Sequence, residues 1–268
     1  PFERQSYWYD MSRQMAHHVS PIAGSTKNAH PLLGSRLPVA GDKSVFEVTI
    51  DARHPRFLAD HRVDESPVVP AAAYIEQALA AATSLFGDGH HWLSNLSIQQ
   101  PLILPEQHRR VVQVQIGTEQ RGQCSFEVFS RTAEVDEHAE SSWTLHASGT
   151  IHKGAAAEDD SDTIDLQTIG ERMNDSIDGE PFYELMAGIG LKYGPAFQVV
   201  DQMQTGPGES LARLIVDDDL QNEIDDYLLH PVILDGCLQS IAGVVSSLQD
   251  EPISDLVLPT HAEQVRVH

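Results

Sequence analysis

The chain has 268 residues, which is enough for one large domain or for two smaller domains that each bury a sizeable core. Its 40 acidic residues outnumber its 17 basic residues, and the formal net charge is -23. Binding to nucleic acid or to an anionic membrane requires a concentrated positive surface, so we expect neither kind of partner.

Cysteine content and hydropathy narrow the class of protein further. Cys124 and Cys237 are the only cysteines, and they lie far apart and outside any CxxC pattern. We therefore expect neither a disulfide framework nor a zinc knuckle, and a reducing cytoplasm fits best. No run approaches the roughly 20 apolar residues of a membrane span, and the N-terminus lacks the layout of a signal peptide.

The first half of the chain predicts one core helix among strands. Residues 43–50 mostly alternate apolar and polar side chains, as in a half-buried strand, and residues 57–59 also predict a strand. From residue 70 to residue 86, apolar side chains recur at helical spacing after a proline, which predicts a helix. Four strand-like runs follow, at residues 93–98, 111–116, 125–130 and 143–151.

An acidic stretch at residues 153–172 has too little apolar surface to order itself and marks the best domain boundary. We accordingly expect an N-terminal linker (1–29), a first domain (30–152), this acidic linker (153–172) and a second domain (173–268). The second domain repeats the plan in weaker form. Its expected elements are a helix at 181–188, a strand at 209–216, a core helix at 235–248, the start of a second-sheet strand at 264–267, and solvated acidic loops at 217–219 and 225–226.

Two distant segments each place one ionisable side chain beside an apolar helical run. His61 precedes the helix that starts near Pro70, and Asp235 starts the predicted helix 235–248, with Gln239 one turn later on the same face. A histidine titrates near neutral pH, and a carboxyl group shielded from water can keep its proton. Such a pair can take a proton from one carbon and give one to a leaving oxygen, which is the minimum needed to eliminate water.

Four short motifs occur in an order and spacing that resemble one known family. They are His30-Pro31-Leu32-Leu33-Gly34, which resembles HPLLG; His61-xxx-Glu65-xxxx-Pro70, which resembles HxxxGxxxxP; Tyr193-Gly194-Pro195-Ala196-Phe197-Gln198, which resembles YGPxFQ; and Asp235-xxx-Gln239, which resembles DxxxQ. By these motifs the chain resembles the dehydratase domains of modular polyketide synthases. The one departure is Glu65, which stands where the family motif has glycine.

The resemblance implies an α+β fold of the double hot-dog type, in which two antiparallel sheets each wrap around a central helix. It implies a hydro-lyase that acts on a β-hydroxyacyl thioester carried on the phosphopantetheine of an acyl carrier protein, with no cofactor bound by this domain. It also implies a homodimer that works with the other domains of its synthase module in the cytoplasm. Because the first residues resemble a linker and lack an initiator Met, we expect a piece of a longer polypeptide.

The resemblance also assigns roles to individual residues. His61 would be the general base, and Asp235 would be the general acid, oriented by Gln239. The Tyr193 hydroxyl would help to position the substrate. The supporting residues would be Pro70 at the helix start, Gly194 in the turn after the tyrosine and His230 in the loop before the acid. From the residues alone, Asp235 is equally a helix N-cap, and Tyr193 with Gly194 is equally part of a turn.

Glu65 is the departure from the family motif, and it is the only sequence support for a catalytically silent alternative. The family glycine lets backbone amides approach the thioester carbonyl, and a carboxylate at this oxyanion-site position can alter that geometry or favour the charged form of His61. We expect Glu65 to be exposed and to point to solvent. The alternatives are a dehydratase-like isomerase or oxa-cyclase that uses the same His/Asp pair, and a catalytically silent structural domain.

Other chemistries lack a matching pattern. The adjacent pairs His17-His18 and His90-His91 do not form a zinc motif, so we expect no metal site. There is no GxSxG of a serine hydrolase, and residues 206–208 lack the third glycine of a dinucleotide loop. Three arginines close to His61 in sequence are the candidates for a basic patch that docks the acidic carrier protein: Arg53, Arg56 and Arg62.

Overall fold

The computed structural model describes residues 29–133, 142–154, 164–248 and 256–267. Residues 1–28 of the predicted N-terminal linker and the centre of the predicted acidic linker lie outside these ranges. The helices of the described residues are α1 (Ala71–Phe86), α2 (Leu166–Gly170), α3 (Gly179–Gly188), α4 (Asp218–Glu223), α5 (Pro231–Gln239) and α6 (Ile241–Ser247). The strands are β1 (Ser35–Leu37), β2 (Ser44–Ile50), β3 (His61–Val63), β4 (Ser66–Pro67), β5 (Trp92–Ile98), β6 (Arg110–Ile116), β7 (Gln123–Thr132), β8 (Thr144–His152), β9 (Asp175–Asp178), β10 (Leu191–Tyr193), β11 (Val200–Gly206), β12 (Glu209–Leu214) and β13 (His261–Arg266).

Helix α1 forms the centre of the larger core. It follows Pro70, which occupies the N-cap position, and it packs against β5, β6 and β8 with all of its alanines except Ala71 buried. Small side chains such as Ala72 and Ala78 allow the sheet to approach the helix closely. The helix predicted at residues 70–86 is therefore confirmed, with the proline one position before the first turn.

Seven antiparallel strands surround α1 in the order β1-β2-β6-β7-β8-β5-β13. Alternate side chains of β6, including Val112, Val114 and Ile116, point into the core, as the two-residue period of a strand requires. The strands predicted at 43–50, 93–98, 111–116, 125–130 and 143–151 are confirmed within two residues at each end.

The second half of the chain contributes a smaller antiparallel sheet in the order β12-β11-β9. Helices α3 and α6 pack on it, and Phe182, Met186 and Met203 form its core. Gly243 allows α6 to lie close to this sheet, because a Cβ at that position would be 2.5 Å from the sulfur of Met203. The predicted helix at 181–188 and strand at 209–216 are confirmed as α3 and β12.

A third small sheet, in the order β10-β3-β4, joins the two halves. Strand β10 pairs with β3 in antiparallel register, so that Tyr193 lies directly opposite His61. Two motifs that are far apart in sequence are thereby brought side by side.

Two predicted strands are wrong in type or position. Residues 57–59 belong to the 3-10 helix Arg56–Asp60, because the Leu58 N–H donates back to the Pro55 carbonyl at 3.2 Å and closes a turn. The strand expected at 264–267 in the second sheet is β13, which extends the large sheet instead. Val265 pairs with Leu93 and packs on the α1 core, which explains this position.

One predicted helix and two predicted acidic loops also need correction. The single core helix expected at 235–248 starts at Pro231 and breaks into α5 and α6 at Ser240, whose hydroxyl donates to the Cys237 carbonyl at 2.7 Å. The acidic segment 217–226 is helical rather than a loop. The Asp217 carboxylate caps α4 by accepting the Leu220 N–H at 2.8 Å, and the 3-10 helix Ile224–Asp226 follows.

The domain boundaries stay predictions.

Among the described residues, no single helix is long and apolar enough to cross a membrane. One pair of segments, Leu220–Asp226 and Pro231–Ser247, meets the length and composition criteria together, but only across a bend of 109°.

Candidate active site

His61 starts β3 and is held by two hydrogen bonds to Val68. The Val68 N–H donates to the His61 carbonyl at 2.9 Å, and His61 Nδ1 lies 2.7 Å from the Val68 carbonyl oxygen. A carbonyl oxygen only accepts, so Nδ1 carries the ring hydrogen and Nε2 of the neutral ring keeps a free lone pair. The local fold therefore fixes both the orientation and the tautomer of a base.

Asp235 lies opposite this free nitrogen, in the middle of α5. Its Oδ1 is 3.9 Å from His61 Nε2, which is beyond hydrogen-bonding distance and leaves the two groups facing each other. Its Oδ2 accepts a hydrogen bond from Gln239 Nε2 at 3.0 Å. The N-cap interpretation of Asp235 is wrong, because the cap of α5 is His230. The expected hydrogen bond from Gln239 to the carboxyl group is present.

Burial raises the pKa of Asp235, and this effect outweighs the opposing effects of His61 and of the Gln239 hydrogen bond. Asp235 is 6% exposed, so water does little to stabilise the charged form of its carboxyl group. The neutral acid is favoured to a higher pH than for an ordinary aspartate. Since Oδ2 accepts from Gln239, Oδ1 is the oxygen available to carry a proton toward His61 and the space between them.

Tyr183 completes the support of Gln239, and sequence reasoning missed it. Its hydroxyl lies 2.9 Å from Gln239 Oε1 and accepts the Val200 N–H at 2.8 Å, while Gln239 Nε2 also donates to the Phe197 carbonyl at 3.1 Å. Burial raises the pKa of Tyr183 to about 12. The available signal was a tyrosine on the apolar face of the predicted helix 181–188, since a buried phenol usually needs a polar partner.

Tyr193 lies beside His61, with ring centroids 5.7 Å apart. Burial, followed by the nearby Asp235 carboxyl, raises its pKa, so the hydroxyl remains protonated. Gly194 is required by a close approach, because a Cβ there would lie 2.5 Å from Cγ of Asp60. Asp60 also accepts the N–H of Gly194 at its backbone carbonyl and the N–H of Ala196 at its side chain, at 2.7 and 2.9 Å. The turn therefore holds Tyr193 against β3.

A cavity of about 460 Å³ contains the facing groups. Its polar lining includes His61, Asp235, Gln239 and Tyr193, and most of the remaining wall is apolar. The apolar wall comes from several elements and includes Val68, Met186, Leu238, Val245 and Leu258. A larger open groove of about 980 Å³ shares Tyr193 as a wall, but neither His61 nor Asp235 lines it. The smaller cavity is therefore the one in which the pair can act on a ligand.

Glu65 lies in the turn between β3 and β4 and does not line this cavity. Its side chain is 82% exposed and forms an ion pair with Lys192, which lowers the pKa of Glu65. The expectation of an exposed Glu65 is confirmed. Its carboxylate is directed to a lysine at the surface rather than to the imidazole of His61.

His230 and Pro70 both lie at helix starts. The Nδ1 of His230 accepts the Val232 N–H at 3.2 Å and so caps α5 five residues before Asp235. Burial lowers the pKa of His230 to about 4, so the ring is neutral at physiological pH. This geometry matches the expectation that His230 shapes the segment before Asp235. Among the described residues, no group of three or more His, Cys, Asp or Glu side chains could hold a metal ion.

Two family models match the chain. The model described as "Polyketide synthase dehydratase domain" matches residues 30–131, and the model described as "Polyketide synthase dehydratase N-terminal domain" matches residues 161–268. Polyketide synthase GfsE of Streptomyces halstedii is 33% identical over 90% of this chain, and the spectinabilin synthase protein NorA of Streptomyces orinoci is 36% identical over 85% of it. The chain spans only 6% and 12% of these two proteins.

Solved structures agree with this relationship. The dehydratase domain from the CurF module of curacin polyketide synthase has a TM-score of 0.80 and 29% identity, with 90% of this chain and 84% of that chain covered. The CurJ dehydratase domain has a TM-score of 0.75 and 30% identity, with 88% and 78% covered. The α+β double hot-dog fold expected from the motifs is confirmed. This chain belongs to the polyketide synthase dehydratase domains, a family of hydro-lyases that remove water from β-hydroxyacyl thioesters.

Proposed function

We propose that this chain converts a β-hydroxyacyl thioester into the α,β-unsaturated thioester, with His61 as the base and Asp235 as the acid. His61 Nε2 takes the α-proton, the electrons of that C–H bond form the double bond, and the β C–O bond breaks. The proton on Asp235 Oδ1 joins the leaving hydroxyl, so water departs. The observation that carries this proposal is the separation of 3.9 Å between His61 Nε2 and Asp235 Oδ1, which face each other in a largely apolar cavity.

The protonation states support these roles. The hydrogen bond to Val68 leaves Nε2 of the neutral His61 ring free to accept a proton, and burial raises the pKa of Asp235, which favours the protonated carboxyl. Two solved CurK dehydratases are described as inactive mutants, one with an aspartate changed to asparagine and one with a histidine changed to phenylalanine. We carry that pair of functional groups over to His61 and Asp235.

The start of α1 is the proposed site for the thioester carbonyl. Ala71, its first residue, lines the cavity, and the first amides of a helix have no partner within the helix. These N–H groups and the positive end of the helix dipole stabilise the charge that grows on the carbonyl oxygen as the α-proton leaves. Pro70 contributes by starting the helix at this point.

The substrate is proposed to arrive on the phosphopantetheine of an acyl carrier protein, with other domains of the same synthase module as neighbours in the cytoplasm. The long curated relatives support this setting. Arg53 and Arg56 are exposed, and Arg62 bonds the carbonyl oxygens of Ala59 and Glu65. They are the proposed basic patch for the acidic carrier. Strand β1 is an edge of the large sheet, and we propose that it pairs with a second copy in a homodimer.

A single incubation tests the proposed reaction. The chain is mixed with a β-hydroxyacyl group on a carrier protein, and the acyl product is released and weighed. Loss of one water from the mass supports dehydration. An unchanged mass with altered chromatographic retention indicates an isomerase or an oxa-cyclase, and an unchanged substrate indicates a silent domain; either result contradicts the proposal.

A further inference from the structure

Glu76 is a fully buried carboxylate that the reaction does not use directly. It lies in the middle of α1, and its exposed fraction is 0%. Burial of a carboxylate is costly unless hydrogen bonds or opposite charges compensate for the lost water. Its partners therefore indicate its role.

Three nitrogen donors reach this carboxylate. His30 Nε2 lies 2.8 Å from Oε1, the Leu228 N–H donates to Oε1 at 2.7 Å, and the Leu229 N–H donates to Oε2 at 3.0 Å. His30 Nδ1 accepts the Leu32 N–H at 3.2 Å, so the hydrogen of the neutral ring is on Nε2 and points at Glu76. One side chain of α1 thereby holds both the first motif and the segment before α5.

The two backbone donors directly precede the helix that carries Asp235. Leu229 is followed by His230, the cap of α5, and Asp235 lies little more than one helical turn beyond that cap. Helices α1 and α5 also pack against each other. Residues 228–229 are therefore connected to the acid by a short stretch of chain, most of which is helical.

We propose that Glu76, together with His30, is a positioning residue pair that clamps the start of α5 and so holds Asp235 at the substrate oxygen. This inference rests on the proposed function, because it assigns a role through Asp235. The HPLLG motif, which contributes no group to the cavity, then provides the outer half of the clamp.

The first test is Glu76→Gln, which keeps the shape of the side chain but turns an NH₂ group toward a backbone N–H. We expect kcat to fall at least about tenfold while KM changes less than about threefold, because misplacement of a reacting group lowers the rate of the chemical step. Amide hydrogen exchange should accelerate in α5 and not in α3. The control is Glu184→Gln, at an exposed glutamate of α3, which should change neither quantity.

A second pair of variants tests the contribution of His30 to the clamp. These variants also replace the first test if Glu76→Gln does not fold. His30→Ala removes one donor and should lower kcat, whereas His30→Gln offers a new N–H and should restore most of it. The inference is overturned if Glu76→Gln or His30→Ala keeps the wild-type kcat, if His30→Gln restores nothing, or if kcat falls without faster exchange in α5. A wild-type protein that dehydrates nothing overturns the proposed function, and the inference with it. An active wild type whose variants behave otherwise than expected overturns the inference alone, so the two failures are distinguishable.

Discussion

Acid is expected to destabilise the protein through His230. This ring is 1% exposed, and its centroid lies 4.9 Å from that of Phe57 and 4.4 Å from that of Tyr227. Burial lowers its pKa from 6.5 to about 4, although the Glu76 carboxylate acts in the opposite direction. Protonation also removes the Nδ1 lone pair that caps α5, so the charged ring is opposed by both burial and hydrogen bonding.

The size of the loss in unfolding free energy, and the pH range in which it occurs, follow from these pKa values. Since the folded-state pKa is depressed, the contribution of His230 is fully present above the unfolded value and is lost as the pH falls through the folded value. A decrease from 6.5 to about 4 corresponds to about 3 kcal/mol, at about 1.4 kcal/mol for each pKa unit. The wild-type protein should lose up to this amount between those two pH values because of this one group.

The variant His230→Asn isolates the effect. Asparagine is a good N-cap and does not titrate, although it loses the ring packing and should be less stable than the wild type at neutral pH. Urea unfolding at intervals from about pH 7 to about pH 4 gives the difference in unfolding free energy between the two proteins, which should shrink by up to about 3 kcal/mol. His90→Asn, at an exposed histidine, should show no such trend. A difference between wild type and His230→Asn that stays constant with pH would refute the reasoning.

Three further changes test the contacts of the site. Asp235→Asn should gain stability relative to the wild type as pH rises. The folded-state pKa of Asp235 is raised, so the wild type loses the contribution of the neutral acid as pH rises from the ordinary aspartate value through that folded pKa; thermal melts of both proteins at intervals from about pH 4 to about pH 9 measure this. Tyr183→Phe removes the hydroxyl 2.9 Å from the Gln239 amide oxygen and should cost about 1–3 kcal/mol in urea unfolding. Gly194→Ala places a Cβ 2.5 Å from Cγ of Asp60 and should lower kcat/KM at least about tenfold in the dehydration assay. The role given to Asp235, Tyr183 or Gly194 would be contradicted if its variant showed, respectively, no pH-dependent gain in melting temperature, no loss of unfolding free energy or no fall in kcat/KM.

Long periodic elements could be predicted from the sequence, whereas short ones could not. Helix α1 and the strands β5 to β8 each contain seven or more residues, which is enough for a helical or alternating pattern to be recognised. Strands β3 and β10 contain three residues each and show no period. The pairing that places Tyr193 opposite His61 therefore became visible only in the structure.

Other differences arise from partners that are distant in sequence. Glu76 falls on the helical pattern of α1 with nothing to mark it as buried, because its three donors are 46, 152 and 153 residues away. An aspartate before an apolar run is a normal N-cap signal, but α5 starts at Pro231 and His230 takes the capping role. The position of strand β13 in the sequence favours the second sheet, whereas its apolar side chains pack against the core around α1.

The most direct test of the central claim compares the rates at which wild type, His61→Ala and Asp235→Asn remove water from a β-hydroxyacyl group on a carrier protein. Mass spectrometry of the acyl product measures the rates, and circular dichroism verifies that each variant is folded. We predict that the wild type forms the unsaturated product and that each variant is slower by a factor of about 10² to 10⁴, as expected for the loss of a general base or a general acid. Retention of more than about a tenth of the wild-type rate by either folded variant would contradict the assignment of the reaction to this pair.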